Sequence, residues 1–108
     1  VTVYENGAYT SHAAAGITSV IYAGGDGDDW FVNDTFYATL GYCGAGNDVA
    51  YGGSGNDTFL GQTGSDVLVG RAGHDWLADD GDGNDSLYGG DGNDTISGGA
   101  GNDNLRGD

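Results

Sequence analysis

The chain has 108 residues, 24 of them glycine, with no proline, and its 17 acids against two arginines give a formal net charge of −15. So acidic a chain has no electrostatic route onto nucleic acid or an anionic membrane surface. No stretch approaches the ~18 apolar residues of a membrane-spanning helix, and the single cysteine, Cys43, excludes an internal disulfide framework. Glycine- and aspartate-rich sequence at this charge is usually disordered linker. The alternative, a folded domain, requires those residues to recur at fixed positions.

The first 23 residues do not repeat. Val1-Thr2-Val3-Tyr4 alternates, Asn6-Gly7 is a hairpin signal, and Ile17 to Tyr22 is β-prone. This predicts two or three strands over residues 1–23, leading into the remainder of the chain and covering its open end. No signal-peptide pattern opens the chain, and the missing initiator methionine suggests a mature or excised piece. His12 has no paired Ser or Cys motif and is expected to be structural or exposed.

From Gly24 to Asp108 the chain is periodic. The nine-residue units are Gly24–Val32, Cys43–Tyr51, Gly52–Leu60, Gly61–Val69, Gly70–Ala78, Asp80–Tyr88, Gly89–Ser97 and Gly98–Arg106. Every one has Gly at its fourth position and Asp at its sixth. The eighth position is always apolar: Phe31, Ala50, Phe59, Leu68, Leu77, Leu87, Ile96 and Leu105. On this composition the aspartates alone would coincide by chance with odds of roughly 10⁻⁷, which rejects the linker. Between Asn33 and Tyr42 lies a degenerate unit with Leu40 in the apolar slot. The register slips once, at the extra Asp79, and the chain stops two residues into another unit, at Gly107-Asp108.

Positions 1, 2 and 4 are glycine in most units, which permits positive φ and a tight reversal within six residues. Positions 7 to 9 alternate like a three-residue strand, one side chain inward and two outward. One such unit cannot bury its apolar residue alone, so units must stack. Two units complete a coil, with strands on two sheets and turns along two edges. Turns two units apart then lie about 4.8 Å from one another. One edge aligns Asp29, Asp48, Asp66, Asp85 and Asp103, and the other Asp57, Asp75 and Asp94. Neighbouring carboxylates at that spacing repel by ~1 kcal/mol in water and several times more near a protein surface, so the stack needs cations.

The units match G-G-x-G-x-D-x-U-x and resemble the RTX nonapeptide of secreted bacterial toxins, serralysin-type proteases and adhesins. The resemblance implies an all-β, right-handed parallel β-roll over 24–108 with two repeats per coil and an N-terminal strand cap. It also implies Ca²⁺ between turns, held by the aspartates of both turns and by carbonyls from positions 1 to 4. Those carbonyls belong to Gly25, Gly27, Gly44, Gly46, Gly52, Gly53, Gly55, Gly61, Gly64 and Gly70. They continue with Gly73, Gly81, Gly83, Gly89, Gly90, Gly92, Gly98, Gly99 and Gly101. Export by a type I secretion system and folding outside a bacterial cell, in high calcium, are implied as well.

Elementary ion chemistry agrees. Ca²⁺ accepts six to eight oxygen ligands in tolerant geometry, Mg²⁺ demands a strict octahedron, and Zn²⁺ or copper would want His or Cys clusters that the chain lacks. The gaps between aligned aspartates suggest about six ions, or up to eight with partial sites near Asn33 and Asp34 and at Gly107-Asp108. Asp28, the asparagines at position 5 (Asn47, Asn56, Asn84, Asn93, Asn102) and His74 are expected to serve turn backbone or solvent instead. Cys43 replaces a first-position glycine, either as a tolerated small residue or as an intermolecular disulfide. No nucleophile–base pair is visible, so no enzyme is expected.

The outward side chains of one sheet, Trp30, Val32, Val49, Tyr51, Val67, Val69 and Tyr88, form an apolar run. The other sheet, with Thr58, Leu60, Trp76, Ala78, Thr95 and Ser97, looks much less apolar. Such a patch marks an interface, covered either by residues 1–22 or by another domain or copy. Two functions are compatible with these features: a calcium-binding and folding module of a larger secreted protein, or a structural subunit of an extracellular filament or matrix.

Overall fold

A computed structural model describes residues 9–11 and 18–108, with side chains from residue 18 onward. Among these residues the strands run β1 (Tyr9–Ser11), β2 (Ser19–Asp26), β3 (Trp30–Asn33), β4 (Ala38–Ala45), β5 (Val49–Tyr51), β6 (Thr58–Thr63) and β7 (Val67–Ala72). They continue as β8 (Trp76–Ala78), β9 (Asp82–Gly83), β10 (Ser86–Asp91), β11 (Thr95–Ser97), β12 (Ala100–Gly101) and β13 (Asn104–Arg106). Longer strands alternate between a six-stranded sheet, β1-β3-β5-β7-β10-β13, and a five-stranded sheet, β2-β4-β6-β8-β11. Every pairing in both is parallel. The short β9 and β12 pair across stacked turns. This is a β-solenoid of the β-roll type.

Register shows that two units make one coil. Val49 pairs with Val67 and Val67 with Ser86 in one sheet, while Thr58 pairs with Trp76 and Trp76 with Thr95 in the other. The expected hairpin at Asn6-Gly7 and His12 lie outside the described residues. β2 begins before Gly24 and pairs in parallel with β4.

Alternation runs further along each unit than positions 7 to 9. In the unit containing Phe59, burial falls on Asp57, Phe59 and Gly61, while Thr58 and Leu60 face outward. Positions 6, 8 and 1 therefore all point into the stack. The eighth-position residues form a single file with Val20 and Tyr22, and all of these from Val20 through Leu87 are buried. Tyr22 stacks on Phe31 at 4.6 Å between ring centroids, and Phe59 meets Phe31 edge-on at 6.0 Å. A core one side chain wide is little apolar burial for this much ordered backbone.

The degenerate unit corrects the apolar slot assigned to Leu40. Leu40 pairs with Thr58 and Gly41 with Phe59, so Gly41 takes the inward position and Leu40 faces out, 36% exposed. The reason is steric: a Cβ on Gly41 would fall 2.5 Å from Cδ1 of Phe59 and 3.5 Å from Cδ1 of Tyr22. The two rings fill the volume that a side chain at residue 41 would need. Gly41→Val is expected to destabilise the folded chain by roughly 3 kcal/mol, and Leu40→Ser by less than about 1 kcal/mol. Denaturant unfolding in calcium measures both, and the reverse order would return Leu40 to the core.

The outer faces need a second correction. Leu40, Tyr42 and Trp76 are exposed on the five-stranded sheet, as Trp30 is on the six-stranded one. The apolar character expected of one sheet belongs to both.

Candidate metal sites

Each turn begins at a first-position residue and ends at the sixth-position aspartate. Positive φ occurs at the second position (Gly25, Gly44, Gln62, Arg71, Gly90, Gly99) and at the fourth (Gly27, Gly46, Gly64, Gly73, Gly92, Gly101). First-position glycines do not adopt it, so positive φ is not what selects them. They are needed for space: a Cβ on Gly52, Gly70, Gly89 or Gly98 would collide with Oδ2 of the aspartate closing the same turn, Asp57, Asp75, Asp94 or Asp103. The glycine and the carboxylate share one small interior volume.

Both oxygens of these carboxylates have defined surroundings. On the first edge Oδ1 accepts the backbone N–H of the aspartate one coil earlier: Asp48 from Asp29 at 2.7 Å, Asp66 from Asp48 and Asp85 from Asp66 at 2.8 Å, Asp103 from Asp85 at 3.1 Å. On the second edge Asp57 accepts from Thr39 at 2.7 Å, Asp75 from Asp57 at 2.8 Å and Asp94 from Asp75 at 2.9 Å. The structure thus aligns the aspartates along the two expected edges. Oδ2 differs: in Asp48, Asp66, Asp75, Asp85 and Asp94 it is buried and accepts no hydrogen bond. Buried acceptors are almost always satisfied, and an ionised one left alone costs several kcal/mol.

Position 5 builds an opposite ladder on the outside. Asp28 accepts from Asn47 N–H, Asn47 from Ser65, Ser65 from Asn84 and Asn84 from Asn102. On the second edge Asn56 accepts from His74, whose Nδ1 accepts from Asn93 at 2.9 Å. His74 is exposed, but it is a rung and not a bystander. These side chains are used up by the backbone.

Carbonyl oxygens supply the remaining donors. Those of Gly25, Gly27, Gly46, Gly55, Gly73 and Gly83 face the glycine of the next coil so closely that a Cβ there would overlap them. They point along the stack, toward the turn of the next coil. An all-oxygen set of carboxylates and carbonyls suits a hard cation that tolerates irregular coordination, which is Ca²⁺. A cation bound beside these carboxylates would supply the positive charge that lets them remain ionised while buried.

Without a cation their protonation is displaced. Burial foremost, then the charges of Asp29 and Asp28, push Asp48 up to about 6 despite the opposing hydrogen bond from Asp29. Asp75 rises to about 6, again chiefly by burial, with Asp57 and Asp94 adding repulsion. Asp57, Asp66 and Asp85 rise for the same first reason.

Two places depart from the pattern. In the degenerate turn Thr39 stands where other units have Asp, and Asn33 is fully buried beside it. Asn33 Nδ2 donates to Thr39 Oγ1 at 2.8 Å and Tyr37 O at 2.9 Å, while its Oδ1 accepts from Thr35 N and Oγ1. Asp34 turns outward to Arg71 at 2.9 Å. Hydrogen bonds satisfy this turn, and Asn33 and Asp34 are not brought together as ligands. The second departure is Asp79, which the nine-residue period treats as an insertion: it is buried, and among the described residues it joins Asp66 and Asp85 in the one convergent group of three acids. Its only trace in the sequence is the slip in register.

Cys43 occupies a first position and is fully buried, with burial and the nearby aspartates raising its thiol well above the usual range. It cannot reach another chain while the roll is folded.

A family model described as the RTX calcium-binding nonapeptide repeat matches the chain in four copies, over residues 44–77 and 79–108, which is more than half of its length. The match is interrupted beside Asp79. No curated protein and no solved structure gives a match.

Proposed function

Because the chain belongs to the RTX calcium-binding nonapeptide repeat family, we propose that it is a calcium-folded module of a larger secreted protein, disordered where calcium is scarce and folded outside the cell. One observation carries this reading: along the aspartate ladders the second carboxylate oxygens of Asp48, Asp66, Asp75, Asp85 and Asp94 are buried and accept no hydrogen bond. The proposed ligands are Asp29, Asp48, Asp57, Asp66, Asp75, Asp85, Asp94 and Asp103, with the turn carbonyls beside them. The core is too thin to hold the coils together against that buried charge, so binding energy becomes folding energy. The alternative, a structural subunit of an extracellular filament or matrix, would use the exposed Trp30, Leu40, Tyr42 and Trp76 as contacts between copies. The expected behaviour is a disordered chain at submicromolar calcium that gains its full β-sheet circular-dichroism signal at millimolar calcium. Unchanged β-sheet signal across that range would overturn the proposal.

A further inference from the structure

Asp79 is the acid that the nine-residue pattern leaves over. Its backbone N–H donates to Ser97 O at 2.7 Å, as Gly52 N–H donates to Val69 O in the opposite sheet. Asp79 therefore stands in a first position, where its side chain points into the stack, and it is 2% exposed. Its neighbour Asp80 faces solvent. Asp79 Oδ1 is fixed by the N–H of Gly81 at 2.8 Å, and Oδ2 is buried without a hydrogen-bond partner.

That orphaned oxygen has company. Asp66, from the turn one coil earlier, and Asp85, closing the turn that Asp79 opens, are each 1% exposed with an orphaned Oδ2. One carboxylate oxygen from each of the three lies within 4.8 Å of the others. A Cβ on Gly61 would meet Oδ2 of both Asp79 and Asp66, so these two oxygens converge over one glycine. Three carboxylate oxygens gathered this closely are the hard, charged donors that Ca²⁺ takes.

We propose that Asp66, Asp79 and Asp85 form a three-carboxylate calcium site that is tighter than the other gaps in the stack and fills first. The proposal rests on the reading that calcium lies between the turns, and deepens it by making one gap unequal through a residue outside the repeat. A third carboxylate adds charge, the main variable that sets calcium affinity in oxygen sites. In the folded stack, backbone bonds at both its amide and its Oδ1 fix the direction in which its other oxygen points.

The test is a calcium isotherm on the full chain by competition with a chromophoric chelator, for wild type, Asp79→Asn, Asp79→Gly and Asp80→Asn. Wild type is expected to hold one ion at least about tenfold more tightly than the rest. Asp79→Asn and Asp79→Gly lose that tight class but keep the weaker ions and the circular-dichroism signal at saturating calcium, while Asp80→Asn matches wild type. Should Asp79→Gly fail to fold, Asp79→Asn, which preserves shape, decides the question. Tight binding that survives Asp79→Asn, or that falls equally in Asp80→Asn, overturns the site. Absence of calcium binding by wild type instead overturns the reading beneath it.

Discussion

Stripped of calcium, the chain should lack β-sheet at pH 7 and regain it on acidification toward pH 4. The sign is set by the buried aspartates. Asp48 and Asp75 sit near 6 when folded, well above the ordinary 3.8, so the metal-free fold binds more protons than the unfolded chain between those values. Its stability is therefore present below about pH 4 and is lost as pH rises through about 6. At pH 7 the carboxylates are ionised, spaced about 4.8 Å apart along each edge and short of hydrogen bonds. Repulsion of ~1 kcal/mol or more per neighbouring pair, added to desolvation of several kcal/mol per buried ion, exceeds the margin of a small domain, about 5–15 kcal/mol. With calcium present the dependence inverts, because protons compete with the ion for the same oxygens. Circular dichroism against pH, in metal-free buffer and in calcium, reads both limbs. A β-sheet signal at pH 7 without calcium, unaltered by acid, would contradict the electrostatic account.

Asp48→Ala should be strongly damaging, with the largest loss expected on the first edge outside the cluster of Asp66, Asp79 and Asp85. Asp48 lies inside the ladder, accepts the Asp29 N–H and donates its own N–H to Asp66, and its Oδ2 borders the interior without a hydrogen bond. Truncation removes the acceptor of the Asp29 N–H and takes a carboxylate from the gaps on both sides. Calcium stoichiometry is expected to fall by at least one ion, and folding to require roughly tenfold more calcium, the equivalent of about 1.4 kcal/mol. Asp48→Asn separates the two causes, since it keeps an acceptor for Asp29 while discarding the charge, and it should lose calcium nearly as badly. Asn47→Ala, one residue away on the outer ladder, forfeits only the bond from Ser65 N–H, worth about 1 kcal/mol, with stoichiometry intact. Equal isotherms for Asp48→Asn and Asn47→Ala would show that position 6 is not the metal position.

Much of this arrangement was legible because a solenoid is nearly one-dimensional: Gly at position 4, Asp at 6 and an apolar residue at 8 each report their own place in a repeating contact. Counting by two units was enough to align Asp29 with Asp48 and Asp57 with Asp75 on separate edges. Reading failed where a residue's role is set by the neighbouring coil. Leu40 is the more hydrophobic choice for the degenerate slot, but the ring of Phe59 occupies the space a Cβ would need there, with Tyr22 packed beside it, and selects Gly41. Glycine at position 1 looks the same in sequence whether it serves a left-handed backbone or leaves room for a carboxylate, and only the second is true. Thr39 in an aspartate column is intelligible only with Asn33 hydrogen-bonded beside it. Asp79 lies outside the period, so periodicity assigned it no contact, while the backbone bond to Ser97 places it inside.

The central claim, that calcium bound between the turns is what folds the chain, is tested most directly by one combined titration. Metal-free chain at pH 7 is dialysed against increasing radioactive calcium at constant ionic strength, and bound ions and β-sheet circular dichroism are measured on the same samples. The account predicts several ions per chain, one taken up ahead of the rest and the remainder cooperatively, with β-sheet gained as they bind and no gain when Mg²⁺ replaces calcium. Full β-sheet signal before any calcium is bound, or calcium uptake that leaves the spectrum disordered, would contradict it.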